Sequence, residues 1–357
     1  MRYLALGLGI IGTGAVADVP RVAVDIAPVH SIVAAVMGDL GQPALIVPPG
    51  ASPHGYSMRP SEAATLDRAD LVVWMGHGLA PWMEGPVESL AGDAVVLELL
   101  TLPQTQLLDI REGATFAAHD HDHGDEHGHD DAHDAHDDTH EDHADDHAHE
   151  DKADDHAEDH AHDHAEAHDH DADKAHDEDH ADAHDHDAHE GGDPHAWLDP
   201  DNAMIWAGVI AAQLADLDPE NADTYAANAT IFSNNINSLK GDIEAQIASV
   251  KGRPFVVFHD AYHYFEHRFG LEAAGAVSAG DAAAPSAARL SELRSEIASL
   301  GAVCALTEPQ FNPAILDALG ATQLGEIDPI GATLTPGPEL YGQLLANMAT
   351  SLTNCLK

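Results

Sequence analysis

Residues 219–250 read PENADTYAANATIFSNNINSLKGDIEAQIASV. Tyr225, Phe232, Ile236, Leu239, Ile243, Ile247 and Val250 recur in this stretch at steps of three, four and seven. That is one apolar stripe on a single long helix. Asp218-Pro219 supplies a cap and a favoured first position, and Lys251-Gly252-Arg253-Pro254 supplies a stop. At 1.5 Å per residue, roughly 30 residues span about 45 Å. This exceeds the width of either half of the chain, so the helix is read as a strut across both.

On each side of the strut, short apolar runs alternate with helical patterns. Before it, Arg21–Ile26, Ala44–Val47, Leu71–Trp74 and Ala94–Leu97 read as buried strands, with helices at Val29–Met37 and Glu62–Asp67. Asp201–Leu217 reads as a further helix, with Ile205, Val209, Ala212 and Leu214 on one side. After it, Phe255–Phe258, Ala273–Val277, Ala302–Leu306 and Gln323–Ile327 read as strands. Ser286–Leu300 is a helix with Leu290, Leu293, Ile297 and Leu300 inward, and Glu339–Leu352 is the last. Short apolar strands alternating with helices imply parallel sheets covered on both faces. The expected fold is therefore α/β, two parallel-sheet lobes joined by one long rigid linker helix. The lobes are placed at 18–218 and 252–357, with the linker at 219–251.

The first lobe is interrupted at 117–192. Between His119 and Glu190 lie 22 of the chain's 29 histidines and 31 of its 63 acidic residues, against Lys152 and Lys174 alone. No apolar periodicity offsets the entropy of ordering such a segment, so it is expected to be a disordered insertion. Imidazole and carboxylate at this density bind divalent metals weakly and at overlapping places. The formal net charge is −49, of which about −20 remains when the tract is set aside. This excludes nucleic acid and anionic membranes as partners and makes a cation the natural guest.

Met1-Arg2, the apolar run Leu4–Val16 and Ala15-Val16-Ala17 form a secretory leader over 1–17. The run is too short to span a bilayer. Outside the cytoplasm, the two cysteines Cys304 and Cys355 suggest one disulfide, two separate buried thiols being the alternative.

Ligands of open parallel sheets bind beyond the carboxyl ends of the strands. His54 falls in such a loop, Pro48-Pro49-Gly50-Ala51-Ser52-Pro53-His54. His195 sits in Asp193-Pro194-His195-Ala196-Trp197-Leu198-Asp199-Pro200, just past the tract. His259 ends the run Phe255–Phe258, Asp328 follows Ile327, and Glu308 follows Thr307. Three imidazoles with a carboxylate or a water make a tetrahedral zinc site, whereas manganese and calcium call for more oxygen. The candidate ligands are His54, His195, His259 and Asp328, with a water as the alternative fourth. Glu308, His77 and His263 are candidates for the surround or rim. His267 and His30 carry less signal.

Pro49-Gly50-Ala51-Ser52-Pro53-His54-Gly55-Tyr56-Ser57-Met58-Arg59-Pro60-Ser61, the segment Asp193–Pro200, Val257-Phe258-His259-Asp260-Ala261-Tyr262 and Thr307-Glu308-Pro309-Gln310-Phe311 together resemble the zinc-specific ABC-transporter substrate-binding proteins, the ZnuA-like group of the cluster A-I metal-binding family. The resemblance covers nearly the whole chain after the leader. It implies capture of one Zn2+ at a tight site in the periplasm, delivery to the membrane subunit of an ABC permease, and little hinge closure. It also implies a His/Asp-rich loop, here with weak sites in 119–190. His54, His195 and His259 match the three histidine ligands of that group, and manganese-specific relatives carry Glu at the third. Asp328 matches a carboxylate that completes the site in some relatives. Where some members place a Glu beside the first histidine, this chain has Pro53. Cys304 and Cys355 match a disulfide of part of the group. A periplasmic zinc chaperone is a further candidate partner, and a monomer is expected. The competing readings are a secreted zinc-dependent hydrolase and a periplasmic metal buffer. No His-Glu-x-x-His helix or nucleophile motif supports an enzyme, so none is expected.

Overall fold

The structure is a computed structural model that describes residues 19–111, 116, 192–278, 287–311 and 323–357. The leader 1–17 and the tract 119–190 lie outside the described residues. Among those described, no helix is long and apolar enough to cross a membrane.

Two all-parallel sheets of four strands have the same strand order. The first runs β2-β1-β3-β4, with β1 Val22–Val24, β2 Ala44–Leu45, β3 Leu71–Trp74 and β4 Val95–Glu98. The second runs β6-β5-β7-β8, with β5 Phe255–Val257, β6 Ala273–Ala276, β7 Cys304–Thr307 and β8 Gln323–Glu326. Register follows the apolar runs, as in Val24 opposite Val73 and Val257 opposite Leu306.

Side chains alternate across each sheet, as a two-residue period requires. Val22, Val24, Leu71, Val73, Phe255, Val257, Cys304 and Leu306 enter one core common to both lobes. Ala23, Val72 and Trp74 turn outward onto α2 (Pro60–Asp67) and α3 (Glu84–Leu90). Val256 and Ala305 turn outward onto Ile297 of α7 (Ala287–Leu300). Both faces of the central strands are thus apolar, which is why β1, β3, β5 and β7 read as unbroken greasy runs rather than as alternating ones.

The strut is α5, Ala222–Ile247, entered through a 3₁₀ turn at Pro219–Asn221. The expected cap changes its role here. The Asp218 carboxylate accepts from Asn221 Nδ2 (2.7 Å) and from the Tyr225 hydroxyl (2.8 Å), bracing the turn by side chains. Tyr225, Phe232, Ile236, Ile243 and Ile247 are buried in the common core with α1 (Ala27–Met37), α4 (Pro200–Leu217) and the final helix α8 (Leu340–Leu356). One helix therefore seals apolar surface from both lobes, and separating them exposes that surface at about 25 cal/mol per Å².

The expected face of α4 is corrected. Asn202, Ala203, Trp206, Ala207, Ile210, Ala211 and Leu214 are buried, while Ile205 and Ala212 are exposed. The large indole of Trp206 sets the buried side, and its Nε1 donates to Thr105 Oγ1 at 2.8 Å. Asp199 caps this helix, accepting from the Asp201 N–H at 2.8 Å. It also receives Arg268 of α6 (His263–Phe269) at 2.6 and 2.8 Å. A buried cap and an ion pair across the lobes thus share one carboxylate. Cys304 and Cys355 are joined, tying β7 to α8 with Cα atoms 5.5 Å apart.

Candidate metal centre

His54 stands on the loop that leaves β2. Pairing continues past the strand, Ile46 and Val47 donating to Val24 and Asp25 carbonyls at 2.8 and 2.9 Å. The loop then turns at Pro48, whose carbonyl accepts from Ala51. Trp82 Nε1 donates to the Pro53 carbonyl at 2.6 Å, pinning the residue before His54. Nothing in the linear order links Trp82 to that loop.

His195 is held by its near neighbour. One Asp193 oxygen accepts from the His195 main-chain N–H (2.9 Å) and from its Nδ1–H (2.7 Å). Both residues are buried. Burial pushes the Asp193 carboxyl up, but the adjoining His195 ring and the His195 hydrogen bonds, with His263 nearby, outweigh it and hold it below the usual range. With Nδ1 so engaged, Nε2 is left as the ring's lone-pair nitrogen. His195 Nε2 is buried and has no hydrogen-bond partner among the described residues.

His259 comes two residues after β5, and its Nδ1 pairs with Glu308 Oε1, which directly follows β7. Neighbouring parallel strands thus deliver an imidazole and a buried carboxylate side by side. A carboxylate on Nδ1 fixes the tautomer and raises the basicity of the other nitrogen.

The three rings meet. Ring centroids are 5.4 Å apart for His54 and His195, and 5.4 Å for His195 and His259. All three line one cavity of about 60 Å³, with Glu308, Gln310 and apolar walls that include Trp197, Phe311 and Ile330. Burial, then the neighbouring His195 and His259, pushes the His54 imidazole down to about 2, so it stays neutral. No group of three or more His, Cys, Asp and Glu side chains among the described residues is set to hold a metal as it stands. With Zn–N near 2.0–2.1 Å, however, three rings on one tetrahedral ion have centroids about 5 Å apart. Small ring rotations therefore separate this arrangement from coordination. The orphaned Nε2 of His195 is the atom such an ion would satisfy, and the nitrogen-rich donor set suits zinc.

Asp328 does not line the cavity. Its carboxylate is turned onto its own loop, accepting from the N–H groups of Ile330, Gly331 and Thr333 at 3.2, 2.8 and 3.2 Å. The turn needs Gly331, whose φ is +73°. The carboxylate that reaches the cavity is Glu308. His263 comes within 3.7 Å of the second Asp193 oxygen. His77 is exposed and is not part of the cavity wall; its Nδ1 lies 2.9 Å from Glu84. His267 is exposed, and His30 is buried with Nε2 bonded to the Pro43 carbonyl (3.0 Å).

The flanks of the tract meet beside this centre. The Asp193 N–H donates to the Leu108 carbonyl at 2.8 Å. The Tyr264 hydroxyl donates to the Asp193 carbonyl (2.7 Å) and accepts from the Leu108 N–H (3.0 Å). Arg111 binds Asp260, the neighbour of His259, and Glu266, and lies on the Phe116 ring. Sequence reading missed Arg111, Trp82 and the supporting role of Asp193. Only the last had a local signal, an Asp two residues before a histidine.

A family model described as ZnuA, the periplasmic component A of a zinc-uptake complex, matches residues 22–355. The chain belongs to the ZnuA family. Its sequence is 44% identical to the high-affinity zinc uptake system protein ZnuA of Paracoccus denitrificans, over 99% of this chain and 97% of that one. It is 40% identical to the ZnuA of Brucella abortus, over 98% and 95% respectively. A crystal structure of a ZnuA superposes with a TM-score of 0.65 at 19% identity, covering 95% of this chain and all of the other. The two-lobe α/β architecture is that of the ZnuA-type solute-binding proteins.

Proposed function

We propose that this ZnuA-family chain is the periplasmic zinc-capturing component of an ABC importer. It takes one Zn2+ on His54, His195 and His259 and delivers it to the membrane permease. The observation that carries the reading is the convergence of three imidazoles from both lobes, two of them fixed through Nδ1 by the buried carboxylates Asp193 and Glu308. Zinc here is cargo, written as a substrate. The lobes 18–218 and 252–357 and the linker 219–251 carry the site, and the leader 1–17 directs export. The tract 119–190 collects zinc weakly and raises its local concentration at the mouth. A zinc chaperone is a further candidate partner.

Capture, not catalysis, is favoured by the cavity, which is sized for an ion and a few waters and not for an organic substrate. Glu308, which a hydrolase reading would use as a base, is engaged with His259. The fourth ligand is a water, since the Asp328 carboxylate serves its own turn. The test is zinc titration of protein lacking 119–190, with X-ray absorption of the loaded form. One tight equivalent in a three-imidazole shell is expected. Loss of all tight binding with the tract would leave a metal buffer instead.

A further inference from the structure

We propose that Gln310 is the residue that holds the water completing the ion's coordination, and so keeps the fourth place open to exchange. The inference rests on the three-histidine reading. Three imidazoles leave a tetrahedral ion one position short. The cavity's polar side chains besides those imidazoles are Ser52, Glu308 and Gln310, with the Trp197 indole. The Trp197 Nε1–H is donated to the Pro329 carbonyl at 2.8 Å. Glu308 is paired with His259, and its charge also bears on the buried Tyr262 hydroxyl. Gln310 Oε1, in contrast, is buried without a hydrogen-bond partner among the described residues. An acceptor left so is costly unless something donates to it.

A metal-bound water is a strong donor, because the cation acidifies it. A neutral amide oxygen accepts that hydrogen bond without competing for the cation as a carboxylate would. It also adds no charge to a cavity lined by Glu308 and backed, behind His195, by the buried Asp193. The ion then sits in three nitrogens and one exchangeable oxygen. That arrangement disfavours manganese and calcium, which want more oxygen. It also leaves a place where a receiving ligand can attach before the histidines let go.

The test uses the full chain with one equivalent of Co2+ as the probe and azide as the entering ligand. Tetrahedral cobalt absorbs strongly in the visible, whereas cobalt on a hydrated polyanionic tract absorbs weakly. The native chain should show the strong bands and a shift with azide. Gln310→Leu should keep the bands and bind azide about tenfold more tightly, because the water being displaced has lost its acceptor. Gln310→Glu, nearly isosteric, should lose the azide response, because its carboxylate holds the water more strongly and repels the entering anion. Native azide affinity in Gln310→Leu would overturn the proposal. So would loss of the bands in Gln310→Leu, since Gln310 would then be a ligand itself. If Gln310→Leu fails to fold by circular dichroism, Gln310→Glu decides, and an unchanged azide response refutes the idea. A native chain without tetrahedral bands would bring down the three-histidine reading itself, a distinguishable failure.

Discussion

The two sheets share one strand order, yet they use their central strand ends differently. In the C-terminal sheet, the ends of the neighbouring strands β5 and β7 present His259 and Glu308, joined side chain to side chain. In the N-terminal sheet, the ends of β1 and β3 present Asp25 and Met75. There the Asp25 carboxyl accepts from the Met75 and Ile26 N–H groups, each at 2.7 Å. One lobe turns a strand end toward the three-histidine cavity, and the other closes its own with a carboxyl tied to backbone. The closed lobe must bring its imidazole on a longer loop, and His54 arrives from β2. A fold places a site, but the side chains just past the central strands decide what each lobe does with it.

The sharpest break of this contrast is removal of the rings themselves. His54→Ala, His195→Ala and His259→Ala should each weaken zinc binding by more than about 100-fold in chelator competition, beyond what outer partners cost. Retention of tight binding by any one of them would remove that ring from the centre. Next come the supports. Glu308→Ala should weaken zinc by about 100-fold and Asp193→Asn by about tenfold, because an Asn oxygen can still accept from His195. Equal and negligible effects would show that the ring orientations come from packing alone.

The closed pair gives the third prediction, read as stability against pH. Burial pushes the Asp25 carboxyl up to about 7 from 3.8, against the pull of its N–H donors. A carboxyl whose folded value is raised contributes its stability in full below about pH 3.8 and loses it as pH rises through about 7. Asp25→Asn should therefore flatten the stability curve between those pH values. Urea unfolding at several pH values measures it, and an unchanged slope would place the titration elsewhere. Zinc affinity should move less than about threefold in this variant, since Asp25 supports no ligand. Smallest is Asp328→Asn. With its carboxylate on the 330–333 turn, zinc affinity should again change by less than about threefold. A tenfold loss by the same competition assay would restore Asp328 as a ligand.

Much of this was legible in the chain. The central strands were readable because burial on both faces leaves them unbroken apolar runs, and the strut because its stripe keeps one phase from Tyr225 to Val250. The face of α4 was misread because nearly every turn of it carries apolar residues, so periodicity alone could not choose Trp206 and Ile210 over Ile205 and Ala212. His54, His195 and His259 were singled out from their strand-end and Pro-bounded positions, and the structure brings their rings to one cavity. Asp before Pro is equally good turn chemistry, and the Asp328 carboxylate is bonded to its own turn, which its position in the sequence did not announce. The pairings Glu308 with His259, Arg111 with Asp260 and Trp82 with Pro53 join residues 49, 149 and 29 apart. No local pattern announces such partners.

Tyr264 clasps Leu108 and Asp193 with one hydroxyl, so the chain that departs at the first returns at the second already in register. Arg111 and Phe116 extend the anchorage past the first point, and the tract 119–190 is inserted beyond them. Doubling the length of such an inserted segment costs only about 0.6 kcal/mol. Evolution can therefore lengthen, shorten or rewrite that passage freely, while the imidazole two residues past the clasp keeps its aim.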